Sequence, residues 1–205
     1  MADGYQRRKE KSRVSPKIIL VVTEGEKTEK IYFEKYRVRK GGFVLHIKYT
    51  NTKDPKGLVD FARTQKEALD VDASEGDSAW CVFDVDHHST ETLQSALKLA
   101  EQEGIKVVLS NPSFEVWYLL HFLSLQHPLT NPELLSKLKS KIPDYDKRKD
   151  YFDKLLAKRD TALKNSRELE AIHVAKKVNL MSRDSNPYTS VHALVEYLLG
   201  FQGVK

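Results

Sequence analysis

The 205-residue chain carries 34 Lys and Arg against 29 Asp and Glu, with 40% hydrophobic and 31% charged residues, a globular composition that excludes disorder throughout. Its single cysteine, Cys81, excludes a disulfide framework and a cysteine-based zinc site and fits a reducing cytosol; no apolar run reaches the length of a membrane span or signal core. The formal charge of +5 is unevenly spread: residues 1–17 hold six Lys or Arg against two acids and residues 134–183 fourteen against seven, flanking a more acidic centre. That distribution suits polyanionic partners.

Residues 1–16 show no hydrophobic period and end in Ser15-Pro16, which predicts a flexible basic arm. The run Ile18–Val22 lacks polar alternation, as expected of a strand covered on both faces, and stops abruptly at Thr23-Glu24-Gly25. Thr23 and Glu26 stand at capping-box spacing ahead of a helix expected over Lys27–Arg39, with Ile31, Tyr32, Phe33 and Tyr36 on roughly one side. Gly41-Gly42 ends that helix, and Phe43–Tyr49 alternates as a second strand. A loop with Asp54-Pro55 leads into a helix whose apolar positions are Leu58, Val59, Ala62 and Leu69.

A third strand is expected at Ala79–Val85, ending in Asp84-Val85-Asp86, and the two-residue period points both aspartates to one side. Thr90 can cap a helix carrying Leu93, Ala96, Leu97 and Ala100, which Gly104 stops before a fourth strand at Ile105–Leu109. Ser110–Phe122 opens with helix-start residues ahead of an apolar helical stretch. From Asn131 onward only helices are expected: Leu134–Ile142, Tyr151–Ala157, Thr161–Lys177 and Tyr188–Leu199. The alternation predicts an α/β fold, a mainly parallel sheet flanked by helices, with a C-terminal helical extension. Its divisions are the arm at 1–16, the α/β domain at 17–128 and the extension at 129–205.

Glu24, Asp84 and Asp86 fall at strand C-terminal ends, the edge where open α/β sheets bind ligands. Magnesium takes oxygen ligands and keeps several waters, so these acids could hold Mg²⁺ or Mn²⁺, activate water and neutralise a phosphodiester transition state. Acids after strands also occur simply because helix N-termini favour them. Glu115 is a further candidate catalytic or ligand carboxylate, and Ser113 could orient substrate, although capping accounts for Ser110, Asn111 and Ser113 without chemistry. Lys27 and Lys30 could hold phosphate, as could the basic extension at Lys147, Arg148 and Arg159. His87 and His88 could shuttle protons or remain solvated, and Asn186 reads as a helix cap in a loop that could return to the site.

The order of strand, Glu-Gly, helix, strand, helix, strand and Asp-x-Asp resembles the Toprim domain of topoisomerases, primases and related nucleases. The strings TEGEKTEKIYF, VFDVDHH, SNPSFEVWYLLHF and NPYTSVHALVEYLL resemble the RloB family of restriction and phage-defence loci, over nearly the whole chain. The resemblance implies that Glu24 takes the place of the Toprim general acid/base and metal-ligand glutamate, and that Asp84 and Asp86 take the places of the metal-binding pair. It implies a cytoplasmic Mg²⁺-dependent nuclease acting on DNA or RNA, tRNA included, as an anti-phage effector. The alternative is a non-catalytic module that holds nucleic acid or a partner ATPase from the same locus. A small-molecule phosphotransferase is disfavoured because the chain has no glycine-rich phosphate loop.

Overall fold

A computed structural model describes residues 16–37, 42–85 and 88–202. Strands β1 (Lys17–Thr23), β2 (Phe43–Tyr49), β3 (Ser78–Asp84) and β4 (Ile105–Asn111) run parallel, and a short β5 (Tyr188–Thr189) lies antiparallel to β4. Their order across the sheet is β2-β1-β3-β4-β5. Helices α1 (Thr28–Glu34), α2 (Pro55–Ala68) and α3 (Thr90–Gln102) link the parallel strands. The remaining helices are α4 (Glu115–Leu120), α5 (Asn131–Lys141), α6 (Phe152–Leu156), α7 (Arg159–Ala175) and α8 (Val191–Gln202).

The unbroken apolar runs follow from a sheet covered on both sides. In β1, Ile19 and Val21 enter one core while Leu20 and Val22 enter the other; in β3, Trp80 and Val82 oppose Ala79, Cys81 and Phe83. Helices α2 and α3 cover one face, through Leu58, Val59, Ala62, Leu93, Ala96 and Ala100. The other face is covered by α1 and by the helices from α4 onward, so the C-terminal helices share a core with the strands. Helix α8 places Val191, Leu194, Val195 and Leu198 in that core, a helical-period stripe. Edge strand β2 alternates because only one face is sealed: Phe43, Leu45 and Ile47 are buried while Val44 is exposed.

Boundaries differ from the sequence pattern where side chains choose other partners. Helix α1 is only seven residues long, and the expected Thr23–Glu26 capping box does not form. Thr23 Oγ1 instead donates to the Gly25 carbonyl at 2.7 Å, tightening the turn. Ser89, not Thr90, caps α3, accepting from the Thr92 N–H at 3.2 Å. Gly104 does end α3, at φ 64°, a left-handed conformation that glycine adopts without a Cβ penalty. The helix expected from Tyr188 gives up its first residues to β5, because Tyr188 and Thr189 pair with Asn111 and Ser110. The flexible arm expected at residues 1–16 lies outside the described residues except for Pro16.

Candidate functional site

Parallel register aligns the ends of β1 and β3. Thr23 stands opposite Val82, and the Glu24 N–H continues the ladder by donating to the Val82 carbonyl at 3.2 Å. Asp84 closes β3 on the adjacent strand, and its backbone N–H points to Glu24 Oε2 at 3.4 Å. β1 is where the strand order reverses, its crossover to β2 leading one way and the later strands lying the other, so the gap between β1 and β3 is the topological switch point of the sheet. A cavity of about 510 Å³ opens there, lined by Glu24, Glu29, Asp84, Glu115 and Lys147, with Lys27, Asn51 and Lys53 at its polar walls.

The loop after β4 supplies the best-anchored carboxylate. Glu115 is 1% exposed and accepts hydrogen bonds from Ser113 Oγ and Tyr145 Oη, both at 2.8 Å, while Lys147 Nζ stands 3.0 Å away. Burial alone would raise its pKa, but the Lys147 charge and the three donors outweigh burial and hold the carboxyl below the usual range. Desolvation pulls Lys147 down, yet Glu115 and then Asp84 and Glu29 more than compensate, and its pKa is raised. Lys147 thus offsets part of the acidic charge, with Lys27 and Lys53 on the same walls.

Two further carboxyls, Asp84 and Glu29, have their charged forms disfavoured. Burial raises Asp84 well above the usual carboxylate range, reinforced by the charges of Glu29, Glu115 and Glu24. Its Oδ1 is buried with no hydrogen-bond partner among the described residues. Glu29 is pushed up to about 7, first by desolvation and then by Glu115 and Glu24, against a lowering backbone hydrogen bond and Lys147. It sits in the first turn of α1 over the Gly25 turn, where a Cβ on that glycine would stand 3.9 Å from Glu29 Oε2.

Of the residues singled out in the sequence, Glu24, Asp84, Glu115, Lys27 and Lys147 line this cavity, whereas Asp86 and His87 lie outside the described residues. Ser113 holds Glu115 rather than facing substrate. Arg148 is forked onto Asp146 at 3.1 and 2.8 Å beside the cavity. Arg159 lies by Tyr36, whose hydroxyl its charge favours in the ionised form, and does not line the cavity. Lys30 lies over the Tyr49 ring at 4.8 Å. Further along α7 the expected basic surface disperses, with Lys164 on Glu168 and Arg167 on Glu196. Asn186 caps no helix; its side-chain amide bridges the Leu129 N–H and carbonyl at 2.9 Å each. Asn111 likewise ties β4 to the Ser182 and Arg183 carbonyls, at 3.2 and 3.0 Å.

Sequence reasoning missed Glu29 and Tyr145. Glu29 was visible only as a first-turn acid four residues after Gly25, a position that helix-dipole preference explains equally well. Tyr145 carried no signal, because its partner Glu115 lies thirty residues away.

All the carboxylate donors are hard oxygens; Asp84 Oδ1 has no hydrogen-bond partner among the described residues, and burial first and neighbouring acids second disfavour the charged forms of Asp84 and Glu29. Those properties fit a hard divalent cation. Among the described residues no three His, Cys, Asp or Glu side chains are already grouped to hold a metal. No described helix is long and apolar enough to cross a membrane.

The sequence model of the RloB-like protein family matches residues 19–198. No curated protein and no solved structure matches the chain.

Proposed function

The chain belongs to the RloB-like family, and from that premise and the carboxylate cavity at the switch point we propose that it is a divalent-metal-dependent nuclease acting on DNA or RNA. The observation that supports this reading most is the meeting of Glu24, Glu29, Asp84 and Glu115 from three separate strand ends in one cavity, with Asp84 Oδ1 left without a partner among the described residues. Four acids gathered in one half-enclosed space repel one another at a cost that no packing argument repays. A site that binds a cation repays it.

Glu24 and Asp84, with Asp86 two residues on in the sequence, would hold Mg²⁺ or Mn²⁺. The ion when bound would supply charge neutralisation at the phosphate and acidify a water for attack. Glu115, held ionised by Ser113, Tyr145 and Lys147, keeps the cavity negative and orients Lys147. Lys147 in turn presents an ammonium to a phosphate oxygen at the cavity mouth. Glu29, which lines the same cavity in the first turn of α1, is the carboxyl to which this reading assigns the proton transfer.

A role as a phage-defence effector, with tRNA among the substrates, is carried by the family resemblance. The alternative, a non-catalytic module for nucleic acid or a partner ATPase, is favoured by one observation: Lys147 already neutralises part of the cluster without a metal. Incubating the purified protein with end-labelled DNA and RNA in Mg²⁺, Mn²⁺ or EDTA separates the two. Cleavage that needs metal and is lost in Glu24→Gln and Asp84→Asn supports the nuclease; binding without cleavage of either polymer in either metal supports the module.

A further inference from the structure

Beside the carboxylate cavity lies a second recess of about 310 Å³, whose charged wall is Lys27, Lys139, Lys147, Arg148 and Asp146 and whose apolar wall is Leu135 and Tyr145. Three separate parts of the chain build it: the turn before α1, the helix α5, and the segment joining α5 to α6. Four cations thus face one carboxylate. That carboxylate is already neutralised, since Arg148 forks onto Asp146 and drives its pKa far down. Among the described residues neither Lys27 nor Lys139 forms an ion pair, so their charge is available to a ligand.

Lys27 and Lys147 line both spaces, which makes the recess and the cavity adjoining rooms with two shared posts. Their polarity is opposite. An acidic cavity repels a polyanion, so a strand that reaches it must gain its affinity from cations at the next position along. The half-buried Leu135 and the edge of the mostly buried Tyr145 ring beside those cations suit a group that is anionic at one end and apolar at the other.

We propose that this recess seats the nucleotide next to the one at the carboxylate cavity, gripping its phosphodiester with Lys139 and Lys27 and resting its sugar or base against Leu135 and the edge of Tyr145. The proposal rests on the nuclease reading for the role of the neighbouring cavity, but the binding it describes is measurable without turnover.

The test measures Kd for a fluorescent single-stranded oligonucleotide in EDTA across a salt series, with wild type, Lys27→Gln/Lys139→Gln and, to leave the shared Lys27 intact, Lys139→Gln and Lys139→Glu. Loss of one phosphate contact is expected to lower the log–log salt slope by about 0.7 and weaken binding roughly three- to tenfold at low salt, with Lys139→Glu weaker than Lys139→Gln. Where cleavage is observed, the change falls on KM and not on kcat. A slope and Kd unchanged in all three variants overturn the subsite, even if the protein cleaves. A flattened slope with no cleavage in any metal keeps the subsite and sinks the nuclease reading instead. Inorganic phosphate is the competitor arm: displacement no greater than its ionic strength explains supports a strand subsite, and displacement at micromolar phosphate makes the recess a free-phosphate site and overturns the assignment.

Discussion

Replacing Glu29 by Gln should stabilise the metal-free protein at alkaline pH and leave it unchanged in acid. The wild-type carboxyl is pushed from an ordinary 4.5 to about 7, principally by desolvation, with Glu115 and Glu24 adding repulsion. Below 4.5 both folded and unfolded chains carry the proton, and the group contributes nothing. Between 4.5 and 7 the unfolded chain releases a proton that the folded chain keeps, so stability falls as pH rises, and the penalty is complete above about 7. At about 1.4 kcal/mol per unit, and with solvent on the open side of the cavity screening part of it, the penalty is about 2 to 3 kcal/mol. Gln has nearly the same volume and helix propensity; the first-turn charge it forgoes returns about 0.3 to 1 kcal/mol to the wild type. The net gain expected in urea unfolding at pH 8 is therefore about 1 to 3 kcal/mol, or a few degrees in Tm, vanishing near pH 4. A difference between variant and wild type that is the same at both pH values, or a variant less stable at pH 8, would refute the repulsion argument.

Other outcomes follow from the same contacts. Millimolar Mg²⁺ should raise the Tm of the wild type and leave that of a Glu24→Gln/Asp84→Asn variant unmoved, as scanning calorimetry with and without EDTA would show. Tyr145→Phe should destabilise by about 1 to 3 kcal/mol, the worth of a hydrogen bond to an ionised group, because Glu115 is buried and loses one of its donors; an unchanged urea midpoint would mean that water replaces the hydroxyl. Cys81 is fully buried, and burial pushes its thiol up, so a thiol reagent should label it only as fast as the protein unfolds. Leu194→Ala should cost about 2 to 5 kcal/mol, because α8 seals one face of the sheet through that side chain, which is 0% exposed.

The sequence by itself determined the α/β alternation, four of the five strands and three of the site carboxylates, Glu24, Asp84 and Glu115. It did so because these features are local. A strand buried on both faces must be apolar at every position, as Ile19 to Val22 are, and the chain can turn polar only where it leaves the sheet, at Glu24 and at Asp84. Parallel pairing then requires those exits to lie at one edge, which is why the acids could be matched before their neighbours were known. The same local reading extended too far in the expected helix over Lys27–Arg39, whose regular part closes at Glu34 although Tyr36 still enters the core.

What only the tertiary structure decided is the set of partners that gives the acids their character. The Ser113, Tyr145 and Lys147 contacts that keep Glu115 ionised, the pairing of Tyr188 and Thr189 with β4, and the Asn186 bridge to Leu129 join residues with no common period. The Tyr145 and Lys147 contacts depend on the path that α5 and the segment after it take, with Leu134, Leu138 and Ile142 buried in the core. Side-chain period reports which face of an element is buried, but not which distant element comes to cover it, and a carboxyl's charge state depends on that second fact.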